Sequence, residues 1–368
     1  MLDQSEHPPG LYDEAIFRIE AEAADLQECD RCIVCHGTSA RPYLRTAGGW
    51  TIVVCSTCGL GWMHPSPASD DIRGFYPTTY YGNTGAKFSP WIEWLVRVTA
   101  ARRVRFLIRQ LPPAARILDV GCGRGTLLSA FADRGFEACG FELSAEAAEF
   151  ADPRARIQIG TELADAAYPA EHFDMVILWH VLEHLKHPDR TIMEIHRILK
   201  PGGRLILAVP NFSSWQAKWA GENWFHLDLP RHLFHFPLSG LRRMVEDRGF
   251  EYRSAHHFSL RQNPFGWIQS AMNRLTFLPR NALYSFLLRS REHRLSWPTR
   301  IALMSVFLLG MPVGLGLSVI AAVFRRGASV HVVWTRSVES HPSETPSPPQ
   351  AQTGPLASSD ARWESKPE

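Results

Sequence analysis

The chain has 368 residues, 45% apolar and 21% charged, which excludes wholesale disorder and collagen-like or repeat-dominated polymers. Lys and Arg total 39 against 37 Asp and Glu, and a formal charge of +2 gives no electrostatic reason to expect a nucleic-acid partner. The length suits roughly two domains, and seven cysteines behind a polar, acidic opening unlike a signal peptide predict a reducing, cytoplasmic setting.

Residues 1–28 are a polar segment, with a short helix expected around Tyr12 to Leu26. Residues 29–61 hold five of the seven cysteines. Cys32 and Cys35 form one CxxC pair, and Cys55 and Cys58 a second, nineteen residues further on. This is zinc-ribbon spacing. Two thiolate knuckles complete a closed tetrahedral site, so the metal is expected to be structural. A register through Cys29 and Cys32 is the alternative, but CIVCHG mirrors CSTCGL and favours Cys32 and Cys35. Cys122 and Cys139, further along, read as small buried residues.

Residues 62–112 are an aromatic linker (Trp62, Phe75, Tyr76, Tyr80, Tyr81) ending in a helical pattern from Trp91 to Leu111, with Arg on its polar face. Residues 113–260 alternate short apolar runs with helical patterns. ARILDV, FEACGFEL, DMVIL and GGRLILAVP read as strands, and TLLSAFADRG and RTIMEIHRILK as helices. This alternation predicts an α/β fold with a doubly wound, mostly parallel sheet. Residues 337–368 are rich in Ser, Pro and Glu and read as a disordered tail.

The strongest chemical signal is ILDVGCGRGTLL, residues 117–128, an apolar strand running through a glycine turn into a helix. Gly121, Gly123 and Gly125 give GxGxG, not the GxGxxG of dinucleotide binders, and no Lys-Ser/Thr pair marks a P-loop. Asp119 at the strand end would repel a pyrophosphate but suits a cation. The next strand ends in Glu142, a carboxylate placed to accept both hydroxyls of a ribose. A ribose, a positive charge and no phosphate describe S-adenosylmethionine.

Residues 114–260 resemble class I S-adenosylmethionine-dependent methyltransferases, with DVGCGRG, HFDMVILWHVLEHLKHP and RILKPGGRLILAVPN in the expected order. The resemblance implies a seven-stranded Rossmann-like sheet, with GFEYRSAHHF as its sixth strand and residues 329–336 as its seventh. It implies S-adenosyl-L-methionine as cofactor, bound by Asp119, Gly121, Cys122, Gly123 and Gly125 of the glycine loop. Glu142 would hold the ribose, Leu143 would lie beside the adenine, and Trp179 and His180 would border the methyl-transfer pocket. The contact to the adenine amino group stays open between Thr161, Glu162 and Asp165. Residues 32–82 resemble the CxxC…CxxCG module of bacterial methyltransferases near sugar and glycan pathways. That likeness implies a small-molecule acceptor, a sugar or lipid-linked glycan intermediate, with the ribbon shaping the substrate side. The alternatives are a quinone or other lipid acceptor, and a non-catalytic zinc-ribbon scaffold with an inactive fold.

Methyl transfer requires an aligned and deprotonated nucleophile. His184 in WHVLEHL and His232 in NWFHLDLPRHLFHF are the candidate bases, with a structural role as the alternative for each. Some quinone methyltransferases with a block resembling WHVLEHL bind a divalent metal through Glu, Glu and His. Here His180 stands at the first of those positions, which speaks against metal dependence. His232 and His235 would share a face if helical, and Arg231 beside them is a candidate grip for phosphate or carboxylate.

Residues 261–328 are an apolar insertion before the last strand. Ile301 to Phe324 is twenty-four residues without a charge, long enough to span a bilayer. The strands on either side pair as neighbours in this fold, and a single crossing would separate them. Gly310, Pro312, Gly314 and Gly316 therefore predict a break or a re-entrant hairpin. Monotopic or hairpin attachment to the inner face of the membrane is the expected arrangement. A buried helical cap and a true span are the alternatives.

Overall fold

The computed structural model describes residues 16–18, 31–46, 49–75, 90–287 and 296–338. Cys29, Tyr76, Tyr80, Tyr81 and the expected tail beyond Val338 lie outside them. The first elements are β1 (Ile16–Arg18), β2 (Ala40–Thr46), β3 (Thr51–Cys55), β4 (Gly61–His64), α1 (Ser69–Gly74) and α2 (Pro90–Leu107). Within the stretch expected to form a short helix, β1 instead pairs antiparallel with β2. There follow β5 (Arg116–Val120), α3 (Thr126–Ala132), β6 (Glu137–Glu142), α4 (Ala145–Ala148), β7 (Arg156–Ile159), β8 (Phe173–Trp179), α5 (Pro188–Ile198) and β9 (Leu199–Pro210). The chain ends in α6 (Trp215–Ala220), β10 (Phe234–His235), α7 (Leu238–Glu246), β11 (Phe250–His256), α8 (Asn263–Met272), α9 (Ala282–Leu287), α10 (Trp297–Val323) and β12 (Ser329–Arg336).

The large sheet has the order β11-β12-β9-β8-β5-β6-β7. Strands β5 to β9 are parallel, and β12 runs antiparallel to both of its neighbours. From β5 the chain goes outward through β6 and β7, then returns to lay β8 and β9 on the other side. That reversal opens a crevice at the carboxyl ends of β5 and β8, where such sheets bind ligands. Side chains alternate across the sheet. Ile117, Ile177 and Ile206 pack with Val104 of α2 and Phe131 of α3. Leu118, Val176, Leu205 and Trp334 pack on the other face with Ile195 of α5 and Leu241 of α7. Both faces are thus covered, the arrangement a mostly parallel sheet needs.

The small sheet has the order β1-β2-β3-β4-β10. Its last strand comes from the segment after β9: Phe234 pairs with Trp62, and His235 with Gly61. The sheet therefore runs three residues past the expected boundary at 61, and the cysteine module is sewn to the far part of the chain. Buried Cys32, Val53, Leu60 and Trp62 share one apolar cluster with the α5 face of the large sheet.

The insertion departs from the expected break. α10 is one continuous helix with Pro312 inside it. Pro312 lies on the exposed side, where helices tolerate stretched hydrogen bonds. Gly310 and Gly314 face α8, where an added Cβ would sit 3.1 Å from Ile268 Cγ1 and 2.6 Å from the Pro264 carbonyl oxygen. Only Leu303, Gly314, Ser318 and Ala321 of α10 are buried, so it is not a buried cap either.

Candidate active site

A cavity of about 410 Å³ opens at the carboxyl ends of β5, β6 and β8. Its floor is the turn after β5. Gly121, Gly123 and Gly125 all take the left-handed backbone, with φ of 70°, 53° and 65°. A Cβ on Gly121 would lie 2.4 Å from Val181 Cγ2, and one on Gly125 2.9 Å from Ala151 Cβ. Gly123 has open space above it, so a ligand can rest on bare backbone there. Gly121 and Gly123 line the cavity. Gly125 instead caps α3, outside the cavity wall. The Cys122 side chain is buried in the β5–β6 packing, where an added Cβ on Gly140 would be 2.7 Å from its Sγ. Burial also pushes its thiol up, so it stays neutral and offers a ligand only backbone.

Glu142 ends β6 at the cavity wall and is 5% exposed. Its Oε2 accepts from the Gly123 N–H at 2.7 Å, and its Oε1 accepts from the N–H groups of Leu143 at 2.9 Å and Ser144 at 3.1 Å. The carboxylate thus fastens the glycine turn to the next strand while facing the cavity. Leu143, Thr161 and Glu162 line the wall beside it, and Asp165 does not. Asp119 is buried, and burial raises its carboxyl to about 7 against the opposing pull of Arg103.

Sequence reasoning placed Arg103 only on a polar helix face. In the fold α2 swings it across the sheet end, its guanidinium 3.2 Å above the Trp179 ring centroid. Burial first, then Arg261, lowers its pKa to about 9. Trp179 is thereby held between Arg103 and His331, whose ring centroid is 4.2 Å away, and it does not line the cavity. Its neighbour His180 does. His180 adopts φ 56°, with Nδ1 3.1 Å from Glu183 Oε1 and Nε2 3.1 Å from Ser329 Oγ. Burial, with Arg261 and Arg103 nearby, drives it down to about 3, and burial raises Glu183 to about 7.

The two candidate bases separate. His184 lines the cavity, and its Nδ1–H donates to the Arg231 carbonyl at 3.0 Å, which leaves the ring lone pair on Nε2. His232 is buried behind it, ring centroids 4.5 Å apart, with Nδ1 bonded to the His226 carbonyl at 2.9 Å. It does not line the cavity. Burial holds both imidazoles below their ordinary pKa. His235 belongs to β10, so the expected shared helical face does not form. Arg231 is 3% exposed and ion-paired with Asp228, which removes it as a ligand grip. Glu183, His184 and His232 each bring one ligand atom within 4.8 Å of the others.

In the small sheet Cys32, Cys35, Cys55 and Cys58 place four Sγ atoms within 4.8 Å of one another. Cys32–Cys58 and Cys35–Cys55 are each 3.4 Å apart, and none of the four is in a disulfide. Tetrahedral zinc–thiolate bonds of ~2.3 Å require sulfur separations of ~3.8 Å, so the set is compatible with a zinc ribbon. Each pair sits in a tight turn, with His36 N–H on the Cys32 carbonyl and Gly59 N–H on that of Cys55.

Residues 93–255 match the family model described as "Methyltransferase domain". The strand order and the glycine-turn cavity are those of a Rossmann-like methyltransferase fold, and the matched residues contain its five parallel strands and the glycine turn. Among curated proteins, a ubiquinone biosynthesis O-methyltransferase of Azoarcus sp. is 33% identical over 125 residues, 32% of this chain and 54% of that protein. One from Ruegeria pomeroyi is 37% identical over 131 residues, 33% of this chain and 51% of that protein. The chain thus matches about half the length of these relatives. A solved S-adenosylmethionine-dependent methyltransferase from Archaeoglobus fulgidus aligns over 67% of this chain and all of its own, at 17% identity and a TM-score of 0.42.

Proposed function

We propose that the protein transfers the methyl group of S-adenosylmethionine to a small-molecule acceptor. The observation that carries this is the charge arrangement of the cavity. The bare backbone of Gly123 supports close approach of the methionine, and Glu142 is the ribose acceptor. Asp119 and Arg103 stand behind the cavity wall and not on it, where the Asp119 carboxylate favours the ammonium group of the methionine and the Arg103 guanidinium favours its carboxylate. In-line transfer moves the sulfonium methyl to the acceptor, leaving the neutral thioether and releasing the acceptor proton. His184, one of three imidazoles on the cavity wall with His180 and His187, carries its ring lone pair on Nε2 and takes the role of base. His232 supports it from behind.

Zinc on Cys32, Cys35, Cys55 and Cys58 would hold the small sheet, which shapes the acceptor side through β10. It supplies structure only, since four thiolates leave no open position. The acceptor is a sugar or lipid-linked glycan intermediate, the class implied by the ribbon module. A quinone-class lipid is the second reading, supported by the likeness to the ubiquinone biosynthesis O-methyltransferases. Mass spectrometry of lipids and glycans from cells with and without the protein tests both. A 14-dalton mass difference, the mass of one added CH₂, in a glycan supports the first reading, one in a quinone supports the second, and no difference in either class contradicts the proposal.

The buried Asp119 adds a pH dependence. Its carboxyl is raised to about 7 by burial, so the empty site keeps the proton below that pH. Binding a cation requires the carboxylate and so expels the proton. Affinity for S-adenosylmethionine is expected to fall about tenfold per pH unit below about 7 and to level off above it. Calorimetry at pH 6, 7 and 8 reads this directly, and a flat profile would remove Asp119 from ammonium recognition.

A further inference from the structure

The chain is nearly neutral, but its charge is not evenly spread. Residues 261–326 contain nine Arg, no Lys and a single acid, Glu292, a local charge of +8. The rest of the chain therefore carries −6, since the total is +2. The charge-free run from Ile301 to Phe324, which makes up most of α10, lies inside this basic stretch, with exposed Arg300 in the first turn of the helix and exposed Arg325 and Arg326 just after it.

Among the described residues, α10 is held along one side only. Gly314 meets Pro264 and Gly310 meets Ile268, so α8 and α10 run antiparallel in close contact. The opposite side presents Ile301, Leu308, Leu309, Val313, Ile320 and Val323, from 50% to 77% exposed. At ~100° per residue they fall within about 140° of the helix circumference and make one apolar stripe along the helix, which is ~40 Å long at ~1.5 Å per residue. Trp297 at its start is 74% exposed, and Trp215 packs at a tilt against Phe324 near its end, ring centroids 5.3 Å apart. The side behind α8 is polar. Gln216 donates to the Asn263 carbonyl and accepts from the Trp224 indole, and Asn263 bonds both the His257 carbonyl and the Ser329 N–H. Such a network cannot enter hydrocarbon, so the helix is fitted to be half immersed and not to cross.

We propose that α10 is an in-plane anchor that docks the protein on an anionic lipid bilayer. Charge complementarity selects this occupant. A second copy of the chain would set +8 against +8, whereas anionic headgroups meet the flanking arginines while acyl chains cover the stripe. The insertion leaves β11 after His256 and re-enters at Ser329, which pairs with Pro210 at the carboxyl end of β9. Docking would therefore turn the cavity end of the sheet toward the lipid.

The test is flotation of the full chain with vesicles of phosphatidylcholine alone or with about one-third phosphatidylglycerol. The protein should float with the anionic vesicles at least tenfold better, and salt should release part of it. Replacing Leu309→Glu and Val313→Glu together should abolish flotation while S-adenosylmethionine binding stays unchanged. Both positions are more than 60% exposed, so the fold should tolerate the change. Three results would overturn the proposal: no flotation with either vesicle, a dimer in light scattering that the double variant dissolves, or protease access showing that residues 263 and 329 lie on opposite sides of the bilayer.

Discussion

Glu142→Ala is expected to weaken S-adenosylmethionine binding at least a hundredfold. Hydrogen bonds to a charged group contribute about 1.5–3 kcal/mol each, and a ribose offers two hydroxyls, so even one lost bond plus a loosened turn reaches ~2.7 kcal/mol. The turn loosens because the same carboxylate accepts from Gly123, Leu143 and Ser144. Glu142→Gln separates the two contributions, since its amide keeps one acceptor oxygen and should lose less. Calorimetry reads both variants, and an unchanged affinity in Glu142→Ala would mean that the ribose lies elsewhere.

Loss of the proposed zinc should have the largest effect on stability. A structural zinc–thiolate site contributes on the order of 10 kcal/mol of folding free energy. Cys55→Ser, or a strong chelator, is expected to melt β2, β3 and β4 and to free β10, which pairs only with β4 in that sheet. Metal content should drop from one zinc per chain to none. S-adenosylmethionine binding should survive, because Gly123 and Glu142 belong to the large sheet, while methyl transfer should fail with the acceptor side disordered. A chain with no bound zinc and an unaltered melting curve would contradict the ribbon reading.

Much of the fold was legible because its signals are local. ILDV, FEACGFE and FDMVILW are short apolar runs closed by Gly121, Glu142 and Trp179, and each is a strand. The edge strand Arg156–Ile159 was missed because exposure on the sheet rim removes its apolar pattern. The union of β4 with β10 depends on residues about 170 positions apart and leaves no local trace. Pro312 and the glycines of α10 suggested a break, but their meaning depended on which of them face α8.

The site divides in the same way. The glycine turn and Glu142 were readable from spacing, because backbone geometry there fixes the residue type. His180 was readable as a pocket residue from its motif, but Arg103 was not, because its role arises from α2 crossing the sheet end. Trp179, Cys122, Gly125 and Arg231 carry motif positions, yet their side chains serve packing or ion pairing.

If this cavity holds S-adenosylmethionine, calorimetric titration of the full chain at pH 8 will detect it. One molecule should bind per chain, with S-adenosylhomocysteine competing for the same site. A folded protein that takes up neither ligand would contradict the account.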